Sequence, residues 1–409
     1  MHVLLLALNY HPDKLGNAPL MTGLAEGLVQ RGHQVTVVCA FPHHETGRVE
    51  AAWRGKLFQR EVHNGVRILR TWIFAPEGGA AAKMAGYGSF TSSALAAAAT
   101  VRGVDVIFTP SPPLTLGLVD LALSRLKRVP FVYNLQDLFP EAAVRLGVLT
   151  NPKMIKSFEW LEDQVYGWAS HLSVISEGFR THVMARGVPA EKVTVIPNYT
   201  DTAFITPRLP QNRFRDLVGG PDTFVIQFSG RMGYSQGLET VIEAWRLLAD
   251  LPNARLMMVG DGQAQEMVRT ALADDPRAVV LPTQPREALP DLLAAADVGL
   301  APLRHGMAGT SVPSKIFGIM AAGRPVVAGV DAGSDTELLI DAAEGGLVVP
   351  PEDPQALAAA LRTLYFDPAE ARRLGENARR HVVAHHSADA VVDQYEALLE
   401  AVIAQHRSR

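Results

Sequence analysis

A loop rich in glycine, serine and threonine leads into a helical segment within residues 309–339, GTSVPSKIFGIMAAGRPVVAGVDAGSDTELL. The first backbone N–H groups of a helix have no partner inside the helix, so such a loop can offer them to an anion. Lys315 adds a positive point charge at the same place. These features suit a diphosphate. The alternative is an ordinary helix start, in which Ser314 caps the helix and Lys315 is solvated.

A second segment, FSGRMGYSQGLETVIEAW, leaves a predicted strand through Gly230, Arg231 and Gly233 and enters a helix near Gly237. The guanidinium group of Arg231 can donate paired hydrogen bonds to phosphate oxygens beside a helix N-terminus. The segment therefore offers a second cation for a diphosphate. The alternative is a structural ion pair on the surface.

Composition narrows the class of protein. The chain has 409 residues, 48% of them hydrophobic and 20% charged, with a formal net charge of −4. Two domains are expected, because single cores stop growing at roughly 250 residues. The single cysteine, Cys39, excludes a disulfide framework and indicates a reducing cytoplasm. The sequence has no basic run interleaved with aromatics and no HExxH motif, so neither nucleic acid nor metal is predicted.

The opening residues, MHVLLLALNY, lack a basic start and predict a buried strand, not a signal peptide. No stretch reaches the roughly 18 apolar residues that span a bilayer. The half up to Thr206 has more basic than acidic residues, and the remainder has the reverse. This asymmetry is compatible with an anionic membrane surface or with an ordinary solvated surface. We expect a cytoplasmic protein, with association to the inner face of the membrane left open.

Short apolar runs alternate with helical segments along the chain, which is typical of βαβ units in parallel sheets. The first half has seven strand candidates: HVLLLAL, QVTVVCA, VRILRTW, VDVIFTP, FVYNLQ, HLSVIS and KVTVIPNYTD. The second half has six: FVIQFSG, ARLMMVGDG, AVVLPT, VGLAPL, PVVAG and GLVVPP. The predicted fold class is α/β, with two Rossmann-like domains whose parallel sheets face a central cleft.

Domain boundaries follow from a polar, proline-containing stretch at 206–221, which we interpret as a linker. One Rossmann-like domain is expected over 1–205 and a second over 222–390. The final helix, 391–409, is long enough to pack back across the domain junction.

The order of these segments resembles glycosyltransferase family 4, the retaining GT-B enzymes. Within it, the likeness is to the exopolysaccharide and O-antigen subgroup, with its colanic-acid-type and fucosamine-type transferases. The shared segments are the opening NYHPDKLGNAPLMTGLAEGLVQRGHQVTVV, then QDLFPE, VIPNYTD, SGRMGYSQGLE, VGDG, LPTQP, VPSKIFGIMAAGRPVV and GSDTE. The resemblance implies that domain 1–205 is the acceptor side and domain 222–390 the nucleotide-sugar side.

The resemblance also implies donor-binding roles for particular positions. Gly16 and Asn17 match the N-terminal glycine loop that approaches the donor phosphates and sugar. Gly230 and Arg231 match the G-R of the second domain and look like diphosphate ligands. The other matches are Asp261 and Gly262 in a G-D-G turn, Thr283 in the loop that meets the base, and Ser311 and Ser314 in the loop before a helix. Asn198, at the domain junction, is assigned to the acceptor side.

Departures from the family pattern change the predicted chemistry. Thr310 and Gly318 stand where many members carry two glutamates, one near the donor sugar and one on the ribose. Gln236 replaces the phosphate-binding lysine after the G-R, and we expect Lys315 to supply the missing positive charge. Glu337 is the remaining acid nearby in the sequence, and the ribose contact stays open.

On the acceptor side, Gln136 and Asp137 stand where many relatives have a His-Asp pair. A glutamine cannot act as a general base near neutral pH, so Asp137, Glu141 or the donor phosphate must take the acceptor proton. In retaining GT-B enzymes the leaving phosphate is the usual proposal, and the protein then supplies charge and geometry. Because Arg231 and Lys315 can neutralise the diphosphate, no metal and no cofactor is expected.

The expected activity is retaining transfer of a sugar from a UDP- or GDP-linked donor to a glycan or a polyprenyl-diphosphate-linked acceptor in bacterial exopolysaccharide or lipopolysaccharide synthesis. Two alternatives on the same architecture stay open: a nucleotide-sugar 2-epimerase, and a GT-B binding subunit without catalysis. Relatives with lipid-linked acceptors often touch the bilayer through the N-terminal domain. The apolar segment 75–103 is therefore either a peripheral contact with an anionic membrane or an ordinary core helix.

Overall fold

The computed structural model describes residues 1–13, 16–43, 48–75, 80–145, 149–307 and 313–408. The chain forms two compact units. The first consists of Met1–Asn198 together with Val391–Arg409, and the second of Tyr199–Ala390. The terminal segment thus belongs to the first unit, and the stretch interpreted as a linker, 206–221, lies within the second.

The sheet of the first unit has eight strands: β1 (His2–Leu6), β2 (Gln34–Ala40), β3 (Phe58–His63), β4 (Val66–Thr71), β5 (Val106–Pro110), β6 (Phe131–Leu135), β7 (His171–Val174) and β8 (Val193–Val195). Their order is β3-β4-β2-β1-β5-β6-β7-β8. Neighbouring strands run parallel, except that β3 pairs antiparallel with β4. Every residue of β1, β5 and β6 is buried, as expected when both faces of a parallel sheet are covered.

Strand β3 is an element that the hydrophobic pattern does not predict. Its residues, FQREVH, alternate between exposed and half-buried positions. The strand lies at the edge of the sheet, where charged side chains are common because only one side of the strand is paired. The antiparallel pairing with β4 extends along its whole length.

The sheet of the second unit has six strands: β9 (Phe224–Ser229), β10 (Ala254–Val259), β11 (Ala278–Leu281), β12 (Val298–Leu300), β13 (Val326–Gly329) and β14 (Gly346–Val349). All pairs are parallel, in the order β11-β10-β9-β12-β13-β14. Counted from β9, this is the doubly wound order 3-2-1-4-5-6, and β4-β2-β1-β5-β6-β7 repeats it in the first unit. Ligands of such sheets bind at the carboxyl ends of the strands where the order reverses.

Helices cover both sheets. In chain order they are α1 (Ala18–Gln30), α2 (Ala80–Ala99), α3 (Leu116–Lys127), α4 (Glu141–Arg145), α5 (Pro152–Trp168), α6 (Glu177–Ala185), α7 (Arg213–Asp216), α8 (Leu238–Arg246), α9 (Gln265–Leu272), α10 (Leu289–Ala294), α11 (Lys315–Ala321), α12 (Asp335–Ala343), α13 (Pro354–Phe366), α14 (Pro368–His385) and α15 (Ala388–Arg407). In the second unit, α11 buries Ile316 and Phe317. Its first residue, Lys315, is thereby held close to the sheet.

Helix α2 covers most of the apolar segment 75–103. It packs on the sheet through Phe90, Ala94 and Ala98, all fully buried, in the manner of a core helix. Within the described part of the chain, no helix combines the length and apolarity needed to cross a bilayer.

Candidate functional site

The loops that follow β9 and β10 are in direct backbone contact. The amide of Met232 donates to the carbonyl oxygen of Asp261 over 2.9 Å, and the amide of Ala264 donates to that of Met232 over 2.9 Å. Gly260 has φ 145°, and a Cβ atom there would lie 1.8 Å from the carbonyl oxygen of Gly230. Because only glycine permits this approach, the G-D-G turn fixes the position of the loop at 230–232.

Lys315 lies against the same loop. A Cβ atom at Gly230 would lie 3.5 Å from Lys315 Nζ. The ammonium group donates a hydrogen bond to Oε1 of Gln236 and lies 3.8 Å from the centroid of the Phe228 ring. Lys315 is partly buried, and Ser314 makes no side-chain capping bond. The structure therefore brings together Gly230, Gln236 and Lys315, and Lys315 is not a solvated lysine.

The environment of Lys315 controls its charge. Burial, which penalises the charged form, lowers the pKa of Lys315 to about 7. No carboxylate in the described ranges forms an ion pair with it that would restore the charge. An incoming anion is therefore the group that can hold this lysine in its charged form.

Arg231 directly follows Gly230 and is exposed. In the part of the chain that the structure describes, its guanidinium group has no hydrogen bond and no ion pair. Both cations that the sequence assigns to a diphosphate thus lack an acidic partner among these residues, although only Lys315 is held in a fixed position.

Gln236 ends a 3-10 turn at Tyr234–Gln236, which Arg304 holds in place. The Arg304 Nε atom donates to the carbonyl oxygen of Tyr234 over 2.8 Å, and its guanidinium carbon lies 4.2 Å from the centroid of the Tyr234 ring. An ion pair with Glu239 at 2.9 Å fixes the arginine from the other side. This 3-10 turn therefore holds the side-chain amide of Gln236 against Lys315.

Asp261 and Thr283 are brought together by a hydrogen bond between them. The carboxylate of Asp261 accepts from the amide of Thr283 over 3.0 Å and from Nε2 of Gln265 over 2.8 Å. These bonds, with Thr283 as the largest cause, lower the pKa of Asp261. Gly262 is constrained as Gly260 is, because a Cβ atom there would lie 2.5 Å from the carbonyl oxygen of Met232.

Glu337 takes part in the start of α12. Its amide donates to Oγ of the N-cap residue Ser334 over 3.3 Å, and its carboxylate accepts from the amide of Gly333, one residue before the N-cap, an arrangement similar to a capping box. Gly318 faces apolar atoms, since a Cβ atom there would lie 3.5 Å from Leu293 Cδ1. Thr310 and Ser311 lie outside the described residues.

A second cluster lies in the first unit, at the carboxyl ends of β1, β5 and β6. Ser111 connects its members. Its carbonyl oxygen accepts from Nδ2 of Asn17 over 3.4 Å, and its hydroxyl accepts from the amide of Gln136 over 3.0 Å and donates to the carbonyl oxygen of Asp137 over 3.4 Å. Gly16, with φ 64°, precedes Asn17 and is exposed. The structure thus brings Asn17, Gln136 and Asp137 together.

The side chain of Gln136 is part of a hydrogen-bond chain that leads into the core. Its Nε2 donates to Oδ1 of Asn134 over 2.8 Å, and Nδ2 of Asn134 donates to the hydroxyl of Tyr395 over 3.0 Å. Glu141 forms an ion pair with His182 at 3.2 Å. Asn198 is the last residue of the first unit's N-terminal segment, three residues beyond β8.

One group in the described ranges has the spacing of metal ligands: His33, Glu396 and Glu400 offer atoms within 4.8 Å of one another. His33 Nε2 already lies 2.6 Å from Glu396, and Arg31 Nε lies 3.4 Å from the same carboxylate. The arginine competes with a cation for Glu396, so the group acts as an ion-pair network that joins α15 to the turn after α1.

The sequence reasoning missed three residues of these clusters. Phe228 and Arg304 hold Lys315 and the 3-10 turn, and Ser111 organises the cluster of the first unit. The one available signal was position, since Phe228 lies two residues before the G-R and Ser111 directly follows β5.

Comparison with known families identifies the family of this chain. Residues 16–199 match the model of a glycosyl transferase 4-like domain, and residues 223–367 match that of glycosyl transferases group 1. The chain belongs to glycosyltransferase family 4. The family and the enzyme class predicted from the sequence are thereby confirmed.

This family 4 glycosyltransferase is similar to one relative over nearly its whole length and to another over about two thirds of it. It is 26% identical over 98% of the chain to WcaI of Escherichia coli, a glycosyl transferase assigned to colanic acid biosynthesis, and the match covers 99% of WcaI. It is 29% identical over 63% of the chain to WbjE of Pseudomonas aeruginosa, assigned as a glycosyltransferase, with 65% of WbjE covered.

Solved structures share the fold. Sucrose-phosphate synthase of Thermosynechococcus elongatus has a TM-score of 0.76 at 20% identity, with 99% of both chains covered. HepE of Anabaena in complex with UDP has a TM-score of 0.70 at 19% identity, covering 98% of this chain and 100% of HepE. Together with the two parallel-sheet units, these likenesses confirm the predicted α/β class.

Proposed function

We propose that this glycosyltransferase transfers a sugar, with retention, from a UDP- or GDP-linked donor to a glycan or polyprenyl-diphosphate-linked acceptor in bacterial exopolysaccharide or O-antigen biosynthesis. The observation that carries the proposal is the ammonium group of Lys315. It is partly buried beside Gly230 and Gln236, and no carboxylate of the described residues neutralises it. Such a cation suits the diphosphate of a nucleotide-sugar.

The relatives support the biosynthetic class. WcaI is assigned to colanic acid biosynthesis, and a mannosyltransferase of O-antigen chains from Escherichia coli is 29% identical over 46% of this chain. HepE has been solved with UDP-glucose. A UDP-linked donor is therefore the first to test, followed by a GDP-linked one.

The chemistry assigned to the chain is stabilisation of charge. The bond between the sugar C1 and the diphosphate oxygen breaks with its electron pair on the diphosphate, and the acceptor oxygen bonds to C1 on the same face. The acceptor proton passes to the leaving diphosphate. Lys315 and Arg231 stabilise the negative charge that develops there, which is worth most when the donors are already in place.

The contacts of the first-unit residues support the diphosphate, and no side chain, as the base that takes the acceptor proton. Gln136 donates its amide to Asn134 and cannot take a proton, and Glu141 is engaged with His182. Asp137 is the one predicted acid that lies in the cluster around Ser111. We assign it to positioning the acceptor hydroxyl, with the diphosphate as the base.

The proposal requires no metal ion and no cofactor, because Arg231 and Lys315 neutralise the negative charge of the leaving diphosphate. The expected result is that EDTA leaves the initial rate unchanged. Loss of activity in EDTA that Mg²⁺ restores would contradict this part of the proposal.

Incubation with UDP- and GDP-sugars tests the whole proposal. Nucleotide release is measured with and without a polyprenyl-diphosphate-linked sugar, and the anomeric configuration of the product is determined by NMR. Lys315→Gln should reduce the rate by two orders of magnitude or more, since one lost charge-stabilising donor commonly has an effect of about 10²–10³. Lys156→Gln, at an exposed lysine of α5, is the matched control.

Other outcomes separate the alternatives. Acceptor-independent conversion of the donor into its 2-epimer would identify an epimerase. Donor binding without turnover by any acceptor would identify a binding subunit. We further propose peripheral contact with the anionic inner face of the membrane, where a lipid-linked acceptor is presented to the more basic half of the chain.

A further inference from the structure

A cavity of about 550 Å³ opens in the first unit, on the face of the sheet beyond the end of α2. Its size is that of a small-molecule pocket. The polar and charged residues that line it include His2, Thr36, Arg60, Glu61, Arg67 and Arg102. It lies toward the amino-terminal ends of β1 and β4, whereas the cluster around Ser111 lies at carboxyl ends.

Strand register places the basic residues on one face. Thr36 pairs with Arg67 between β2 and β4, and Arg67 pairs with Val62 between β4 and β3. Arg60 is two residues from Val62 on the same strand, so it is a diagonal neighbour of Arg67, about 7–8 Å away on the same face. Arg102 approaches from the segment that follows α2.

The nearby carboxylates do not neutralise these arginines. Glu61 lines the cavity too, but its carboxylate is engaged by Arg70, whose Nε donates to it over 2.8 Å. Asp105 accepts from the amide of His2 over 2.8 Å and from Arg407 over 2.7 Å. Arg60, Arg67 and Arg102 are exposed and form no ion pair with any residue in the described ranges. The cavity therefore carries three positive charges.

The floor of the cavity is polar but uncharged. His2 Nδ1 lies 3.0 Å from the carbonyl oxygen of Gly103, which can only accept, so this nitrogen carries the hydrogen. Nε2 then accepts from the hydroxyl of Thr36 over 2.9 Å. Burial first, with the charge of Arg67 adding to it, lowers the pKa of His2. Burial thus favours the neutral form of the histidine, and the guanidinium groups supply the charge.

We propose that this cavity binds a phosphate-bearing ligand, held by paired hydrogen bonds from the guanidinium groups of Arg60, Arg67 and Arg102. Arginine matches phosphate geometry with a rigid, permanently charged fork, and three such groups together suit the several negative charges and acceptor oxygens of a phosphate or diphosphate. The ligand is either a soluble phosphate compound or the headgroup of a lipid. Phe58 and Val62, 56% and 70% exposed, flank Arg60 on its face of β3 and could accompany a lipid.

Inorganic pyrophosphate is the soluble probe, used in calorimetric titrations at low salt. The titrations use an Arg231→Gln, Lys315→Gln background, so that the proposed donor site contributes little. Arg67→Gln and Arg102→Gln should each weaken binding by about tenfold or more, because each removes charged hydrogen bonds. Arg67→Lys keeps the charge without the fork and should give an intermediate loss. Arg125→Gln, at an exposed arginine of α3, should leave binding unchanged.

Vesicles identify the source of the phosphate. Co-sedimentation with phosphatidylglycerol vesicles, compared with phosphatidylcholine vesicles, is measured for the wild type and the same variants. Vesicle binding that Arg67→Gln and Arg102→Gln abolish supports a lipid headgroup, and pyrophosphate binding alone supports a soluble ligand. If neither probe binds, or if both variants bind as the Arg125→Gln control does, the proposal is wrong. Because turnover of the sugar donor is assayed separately, these outcomes are independent of the proposed function.

Discussion

Replacement of Lys315 by methionine is expected to raise the stability of the protein while it weakens donor binding. Burial lowers the pKa of this lysine from its usual 10.5 to about 7. Since each pH unit corresponds to 1.36 kcal/mol, the buried amine destabilises the folded state by on the order of 4 kcal/mol at neutral pH. Methionine keeps the contact with Phe228 but leaves Oε1 of Gln236 without its donor, which costs about 1–3 kcal/mol. The net gain is about 1–3 kcal/mol.

The pH dependence identifies the cause of this gain. The pKa of Lys315 is lower in the folded than in the unfolded state, so the unfolded state binds the extra proton between about pH 7 and 10.5. The penalty is complete below pH 7 and disappears as the pH rises through 10.5. The stability difference between Lys315→Met and the wild type should therefore be largest at pH 6 and shrink steadily toward pH 10.

Urea unfolding at several pH values, together with titration by UDP-glucose, measures both effects. Lys156→Met, an exposed lysine of α5, controls for loss of a charge alone and should change neither quantity. Donor affinity of Lys315→Met should fall by about tenfold or more, because a charged hydrogen bond to the diphosphate is lost. If Lys315→Met is no more stable than the wild type at pH 6, and its stability changes with pH as the wild type does, the lysine is solvated and the reasoning fails.

Other expectations concern single positions. Gly260→Ala should destabilise the protein by more than about 3 kcal/mol in thermal unfolding, because its Cβ would overlap the carbonyl oxygen of Gly230, whereas Gly88→Ala in α2 meets no atom within 4 Å and should stabilise slightly. Arg231→Gln should lower kcat/KM about 10–100-fold with unchanged Tm, since the side chain is exposed; an unaltered kcat/KM would remove Arg231 from the diphosphate. Burial raises the pKa of Asp120 well above its usual range, so the wild type should lose stability as the pH rises above about 4, and Asp120→Asn should lack this slope in urea unfolding.

The elements that the sequence predicts are those whose signal is local. All six strands of the second unit appear as predicted, because buried parallel strands are continuous apolar runs. Strand β3 does not appear in the prediction, because an edge strand satisfies its backbone with one neighbour and tolerates charge on its side chains. The tertiary pairing with β4, which makes it a strand, has no local signature.

Prediction of the candidate site from the sequence is limited in the same way, to features with a local signal. The G-R, the G-D-G turn and Lys315 can be found from residue type and order, but the contacts of Lys315 with Phe228 and Gln236 join residues that are distant in the sequence. Burial, which lowers the pKa of Lys315, is likewise visible only in the fold. Glu337 was the candidate acid for the ribose, and its capping bond to Gly333 becomes visible only when the start of α12 is known. Burial and competition for partners are properties of packing, and the order of the residues does not contain them.

The return of the last helix to the first unit has a consequence for synthesis on the ribosome. Tyr395 of α15 packs edge-on against Phe108 at 5.3 Å, so this part of the core can form only after the whole second unit has been made. The second unit is a continuous stretch, whose two ends are joined by the hydrogen bond from the Thr200 amide to the His386 carbonyl at 3.0 Å. Synthesis adds about 5–20 residues per second, so making the second unit takes on the order of 10–40 s. During this time the surface on which α15 packs is exposed, and chaperones can bind it. The second unit, whose chain is complete before α15 is made, can therefore complete its core before the first unit does.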